Sequence, residues 1–150
     1  MIFQPRTVEL SARVEYALLA LLEMAGRYHQ REPLKISEIT AKQDIPDRYL
    51  EQILTNLRRS GIVQSQRGAK GGYVLSREPW QITLLEIITS VEGDRFEKEV
   101  AASATVEKNL IHEIWKQAKS ASHTIFSHYT LQDLCQRRDA YRQTNPMYHI

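Results

Sequence analysis

Five polar side chains in the middle of the chain, Arg48, Glu51, Gln52, Thr55 and Arg59, recur at the three- and four-residue spacing of one helix face. Together they offer guanidinium donors, a carboxylate acceptor, an amide that both donates and accepts, and a hydroxyl. A little further on, Arg67-Gly68-Ala69-Lys70-Gly71-Gly72 is basic and glycine-rich. From Lys42 to Gly72, six basic residues (Lys42, Arg48, Arg58, Arg59, Arg67, Lys70) face three acidic ones (Asp44, Asp47, Glu51), a local excess of three. The whole chain carries +2, with 20 Lys and Arg against 18 Asp and Glu, so the remainder is near −1. Positive charge gathered in one stretch suits a phosphate backbone. The plainer reading is an ordinary solvated face, with Glu51 paired to a Lys or Arg one turn away.

These groups need elements to hold them. Val14, Ala17, Leu18, Leu21, Leu22 and Ala25 predict an amphipathic helix over 10–28. Ser37 fits an N-cap for a short helix over 37–43 with Ile39 inward. After the tight Asp44-Ile45-Pro46 connection, Pro46 suits the first position of a helix running to Ser60, where its missing N–H costs nothing. That helix buries Leu50, Ile53, Leu54 and Leu57, and Gly61 stops it. Residues 62–66 and 73–75 are strand-like, which makes the basic segment the tip of a β-hairpin. Thr83 to Glu86 is a capping-box pattern opening a helix to Val91. A charged and then small-residue stretch follows, read as a flexible connection over 93–105. Leu110, Ile114, Ala118, Ala121 and Ile125 form one stripe of a long helix over 106–126. Thr130 with Asp133 caps a last short helix through Leu134.

The expectation is therefore a mainly α fold with a small β-hairpin wing. Residues 1–92 form a winged helix-turn-helix, and 106–150 a long C-terminal helix with a tail. A helix about 10–12 Å across fits the major groove of B-DNA, and a basic hairpin beside it reaches a flanking minor groove or phosphates. Double-stranded DNA is the expected partner. A winged-helix interaction module without DNA binding is the alternative.

Composition narrows the rest. With 42% hydrophobic and 25% charged residues the chain reads as soluble and globular. No apolar run nears the roughly 20 residues of a membrane helix, and the opening residues lack a signal-peptide stretch, so a cytoplasmic protein with no membrane association is expected. An enzyme is not. The five histidines (His29, His112, His123, His128, His149) are scattered, no glycine-rich phosphate loop follows a strand, and no nucleophile–base spacing occurs.

The segments Leu10-Ser11-Ala12-Arg13-Val14-Glu15-Tyr16-Ala17, Tyr49-Leu50-Glu51-Gln52-Ile53, Leu57-Arg58-Arg59-Ser60-Gly61-Ile62-Val63 and Arg67-Gly68-Ala69-Lys70-Gly71-Gly72-Tyr73-Val74-Leu75 together resemble the Rrf family of bacterial winged-helix regulators. The resemblance covers Leu10 to Leu134. It implies a homodimeric transcription factor, a repressor on a palindromic operator, with the long helix pairing across the two-fold axis, acting in sulfur/cysteine or iron–sulfur metabolism. It also implies that Glu51 and Gln52 read base edges, a carboxylate accepting from cytosine and an amide pairing with adenine. Arg48 then faces guanine or phosphate, and Arg67 enters a narrow minor groove. Lys70 and the N–H groups of Gly71 and Gly72 hold phosphates. Gly68, Gly71 and Gly72 also read simply as turn residues.

Cluster-binding members of the family place three cysteines before the long helix, with a His as fourth ligand. Here residues 93–112 contain no cysteine. His112 matches that His but has no thiolates beside it, so an ordinary helix or interface histidine is the reading beside it. A variant with ligands on the first helix needs Glu15 and a His where Leu19 stands. No cofactor is expected; an iron–sulfur cluster would require cysteines in place of Ala101, Ala102 or Ala104, or unusual ligands. The one cysteine, Cys135, is either a small buried apolar residue or a redox-sensitive thiol helped by Arg137 and Arg138. The clusterless, cysteine-metabolism branch is similar in its C-terminal aromatic-rich segment ending in Ile. That likeness implies a tail, Tyr148, His149 and Ile150, docking into the enzyme that synthesises cysteine. A frayed terminus is the alternative.

Overall fold

The computed structural model describes residues 9–93 and 105–145. Among them are six α-helices and one two-stranded hairpin. Helix α1 (Ala12–Gly26) starts at Ser11, whose hydroxyl accepts the Val14 N–H at 3.2 Å and donates to the Glu92 carboxylate. Helices α2 (Ile36–Lys42) and α3 (Asp47–Arg59) form the helix-turn-helix, and strands β1 (Val63–Gln66) and β2 (Gly72–Leu75) form the wing. A 3-10 turn (Pro79–Gln81) leads to α4 (Leu84–Glu92), opened by the expected Thr83–Glu86 capping box. Helix α5 (Val106–His128) is the long helix, and α6 (Leu131–Thr144) the last.

One core joins these pieces. Ala17, Leu21, Ile39, Leu50, Ile53, Leu54, Leu57, Ile82, Ile87 and Leu131 are fully buried, so α1 to α4 and the start of α6 share a single apolar interior. Helix α5 contributes nothing fully buried to it.

The two strands pair antiparallel with Val63 opposite Leu75 and Gln66 opposite Gly72. Leu34 adds a rung on the outer edge of β2: its N–H donates to the Tyr73 carbonyl and Tyr73 returns the bond, both at 2.9 Å. This rung corrects the expected start of α2. Leu34 is held as extended chain, the helix begins as soon as the chain leaves it, and the cap is extended Lys35 rather than Ser37. Pro46 likewise stands one place earlier than expected, as the N-cap of α3 with ψ 133°.

The last helix departs most from expectation, running ten residues past Leu134 to Thr144. No breaker occurs before Pro146, and the intervening residues tolerate helix well. Tertiary contacts hold it: Leu131 is fully buried, Cys135 packs on the core, and Arg138 donates to the Leu22 carbonyl of α1 at 3.2 Å. Its start is fastened to α4 by two backbone bonds, Leu84 N–H to the Tyr129 carbonyl and Leu131 N–H to the Ile82 carbonyl, each 2.9 Å.

The Leu34 rung leaves no room for a side chain at Gly72, where a Cβ would stand 2.6 Å from the Leu34 carbonyl oxygen. Gly72→Ala is expected to destabilise the protein by about 1–3 kcal/mol through this overpacking. A lower urea midpoint with faster amide exchange at Leu34 and Tyr73 is the result to look for; unchanged exchange there would show that the wing is not anchored in this way.

Candidate nucleic-acid interface

Helix α3 is two-sided. Leu50, Ile53, Leu54 and Leu57 have no solvent exposure, while Arg48, Glu51, Gln52 and Arg59 are exposed and Thr55 is half-buried. At 100° per residue, Arg48, Glu51, Gln52, Thr55 and Arg59 fall within an arc of roughly 100°, opposite the buried four. Asp47 lies in the first turn and Arg58 and Arg59 in the last, the arrangement a helix dipole favours. Among the described residues, no hydrogen bond or ion pair holds the side chains of Arg48, Glu51, Gln52 or Arg59. The helix-surface ion pair considered for Glu51 is thus not formed. Thr55 differs, because its hydroxyl donates to the Glu51 carbonyl at 2.9 Å.

Residues 64–70 of the hairpin are all exposed, and Arg67 and Lys70 have no side-chain partner among the described residues. The glycines do other work. Gly71 donates its N–H to the Gly68 carbonyl at 2.9 Å and is buried, with no space for a Cβ against the Gln66 carbonyl. Tyr73 spends its N–H and carbonyl on Leu34, so ladder alternation turns the groups of Gly72 toward Gln66. The two N–H groups expected to hold phosphates are therefore committed inside the hairpin, and the turn-residue reading accounts for them. That leaves Arg67 and Lys70 as the charges of the tip. Among the six basic residues counted from sequence, Lys42 is drawn away by Glu23 at 3.4 Å.

Two residues near this face were given no DNA contact in the sequence reading. Tyr49 is half-exposed on the flank of α3 toward α1, its ring edge-on to Tyr16 with centroids 6.2 Å apart. Arg58 is exposed beside Arg59. The signal for Tyr49 was its place directly before the buried Leu50, which puts it at the border of the polar arc.

The chain matches the family described as Rrf2, iron-dependent transcriptional regulators, over residues 10–137. It belongs to the Rrf2 family. It is 32% identical to the HTH-type transcriptional regulator CymR of Bacillus subtilis, over 94% of this chain and 99% of that one. To the regulator IscR of Serratia proteamaculans it is 30% identical, over 92% of this chain and 88% of that one. Among solved structures it resembles CymR, the global cysteine regulator of B. subtilis (TM-score 0.73, 31% identity, 87% of this chain and 98% of that one). T. potens IscR is similar too (TM-score 0.72, 29% identity, 87% and 88%). The protein is thus a DNA-binding transcriptional regulator with the winged-helix fold, and its named relatives are regulators rather than enzymes.

The remaining candidates of this Rrf2 regulator lie on other helices. His112 is half-buried on α5, and no group of three His, Cys, Asp or Glu side chains converges anywhere among the described residues. Glu15 is exposed on the first turn of α1. The one cysteine sits in the second turn of α6, not at a helix end, half-buried against the core. A single thiol in that setting does not fit an iron–sulfur cluster, which needs several thiolates on one face. Residues 94–104, and Tyr148, His149 and Ile150, lie outside the described residues. No helix of the described residues is long and apolar enough to cross a membrane.

Burial pushes the Cys135 thiol up; the Arg138 guanidinium pulls the other way and Asp139 adds to the rise. The group is therefore a protonated thiol at neutral pH, the reverse of an activated one. Alkylation by iodoacetamide is expected to be slow at pH 7 and to accelerate only above the ordinary cysteine range of about 8.5. A reaction already at its plateau at pH 7 would overturn this assignment.

Proposed function

We propose that the protein is a homodimeric repressor that reads a palindromic operator and acts in the cytoplasm on genes of sulfur metabolism. The observation that carries this reading is the polar arc of α3, with Arg48, Glu51, Gln52 and Arg59 exposed and without side-chain partners among the described residues, beside a hairpin tip bearing Arg67 and Lys70. In the proposed complex α3 lies in the major groove. Glu51 accepts from a cytosine amine, Gln52 pairs with adenine, and Arg48 takes guanine or a phosphate. The Thr55 methyl meets a thymine methyl, Arg59 holds backbone, Arg67 enters the flanking minor groove and Lys70 neutralises a phosphate.

The dimer reading rests on α5. Val106, Leu110, Ile111, Ile114, Trp115 and Ile125 are all more than half exposed, Ile114 at 62%. Six large apolar side chains on one helix form a patch that a lone soluble chain does not leave in water. A second copy covering it brings two reading heads to two half-sites. The division is then a reading head over 1–92, a connection over 93–105 and a dimerisation unit over 106–150, with α6 packed back on α1.

For the signal we favour a partner over a resident cofactor. The donor set argues against a cluster, and the likeness to a global cysteine regulator supports sulfur rather than iron–sulfur control. The tail Tyr148–Ile150 would enter the cysteine-synthesising enzyme, with Tyr148 and Ile150 in apolar pockets and the extended backbone hydrogen-bonded there. Deleting Tyr148–Ile150 is expected to abolish binding to that enzyme by calorimetry while leaving DNA binding intact; unchanged enzyme binding removes this part of the proposal.

The central reading is tested with duplexes selected from a random pool. A palindromic site should emerge, with log affinity falling linearly in log salt by about 0.9 per phosphate neutralised. Arg67→Ala should weaken it by about 1–3 kcal/mol, and Ile114→Glu should give monomers by sedimentation that no longer bind the full site. A salt-independent, sequence-blind chain would instead be an interaction module.

A further inference from the structure

Between the wing sheet and the end of α1 with its turn is a cavity of about 330 Å³, lined in part by Met24, Tyr28, Val74 and Leu75. The turn contributes Arg27, Arg31 and Glu32, and the hairpin contributes Gln64 and Gln66. These charges are not equivalent. Arg27 is consumed by Glu38 at 2.7 Å, whereas Arg31 and Glu32, though adjacent, have no hydrogen bond or ion pair from their side chains among the described residues. Arg31 also adopts a left-handed backbone, φ 53°, and is the one non-glycine residue to do so among those described. Glycine would take that conformation with less strain than Arg31 does.

We propose that this cavity binds a small zwitterion of amino-acid size, with its carboxylate on Arg31, its ammonium on Glu32, and the Gln64 and Gln66 amides completing the contacts. The volume stands near the lower end of ligand pockets, which run from about 300 to 1,000 Å³, and is too small to enclose a dinucleotide. Charges of both signs decide against a simple anion: a phosphate drawn to Arg31 would also meet the carboxylates of Glu32 and Glu78. Gln66 is joined directly to Arg67, so an occupant touches the strand that carries the wing arginine.

The site does not depend on the DNA-binding proposal and is tested without DNA. The full chain is titrated with each of the standard α-amino acids, and with inorganic phosphate, by thermal shift and calorimetry. At least one amino acid should raise the melting temperature saturably, and phosphate should not. Arg31→Gly relieves the left-handed residue and so keeps the fold, yet should weaken that binding about tenfold or more; Glu32→Gln should do the same. Arg67→Ala should leave it unchanged. Absence of binding by every amino acid, equal binding of phosphate, or binding that survives either Arg31→Gly or Glu32→Gln would overturn the proposal.

Discussion

Leu50, Ile53, Leu54 and Leu57 fasten α3 to the core by one side only, and the exposed polar arc exists because that attachment is complete. Each such side chain contributes about 1.5–3 kcal/mol on burial. Four of them on one stripe hold the helix without help from any group on its outer arc. The polar side chains are thus released from structural duty. A less fully buried helix would need ion pairs along its outer face, and those pairs would compete with bases and phosphates for the same groups.

The wing obeys a related logic with backbone instead of side chains. Two four-residue strands make a marginal sheet in water. The Leu34–Tyr73 rung ties the hairpin to the segment that begins α2, and Gly72 is what lets the two backbones come so close. The same rung that stiffens the wing therefore sets where α2 starts. The position of the basic tip relative to α3 is an outcome of backbone pairing, not of the tip's own sequence.

This explains what was legible in the residues and what was not. The two faces of α3, the hairpin, the Thr83 box and the stripe on α5 could all be read, because each is written locally as a period or a cap. The start of α2 could not, since Ser37 is a good cap by type and lost its place to a contact with distant Tyr73. The length of α6 was equally hidden. Its apolar signal is thin, and what holds it is a buried leucine, a half-buried cysteine and an arginine bonded to a carbonyl of α1. At the site, residue types named the candidates well. In the fold the Gly71 N–H and the Thr55 hydroxyl are already spent, and the Glu51 carboxylate is not.

The net charge and the single cysteine acquire different meanings from this geometry. The excess of positive charge is carried by Arg48, Arg58, Arg59, Arg67 and Lys70, with Lys42 neutralised by Glu23. The thiol is held in the protonated form on a helix packed against α1. A signal acting through sulfur chemistry at Cys135 would have to work against both its burial and its raised pKa. The mechanical route is better supplied. Backbone bonds from Leu84 to Tyr129 and from Leu131 to Ile82 join the C-terminal end of α5 to the head that carries α3. In the proposed dimer that joint fixes how far apart the two reading helices stand. An event that shifted α5 against α4 would change half-site spacing without touching a single base-reading side chain.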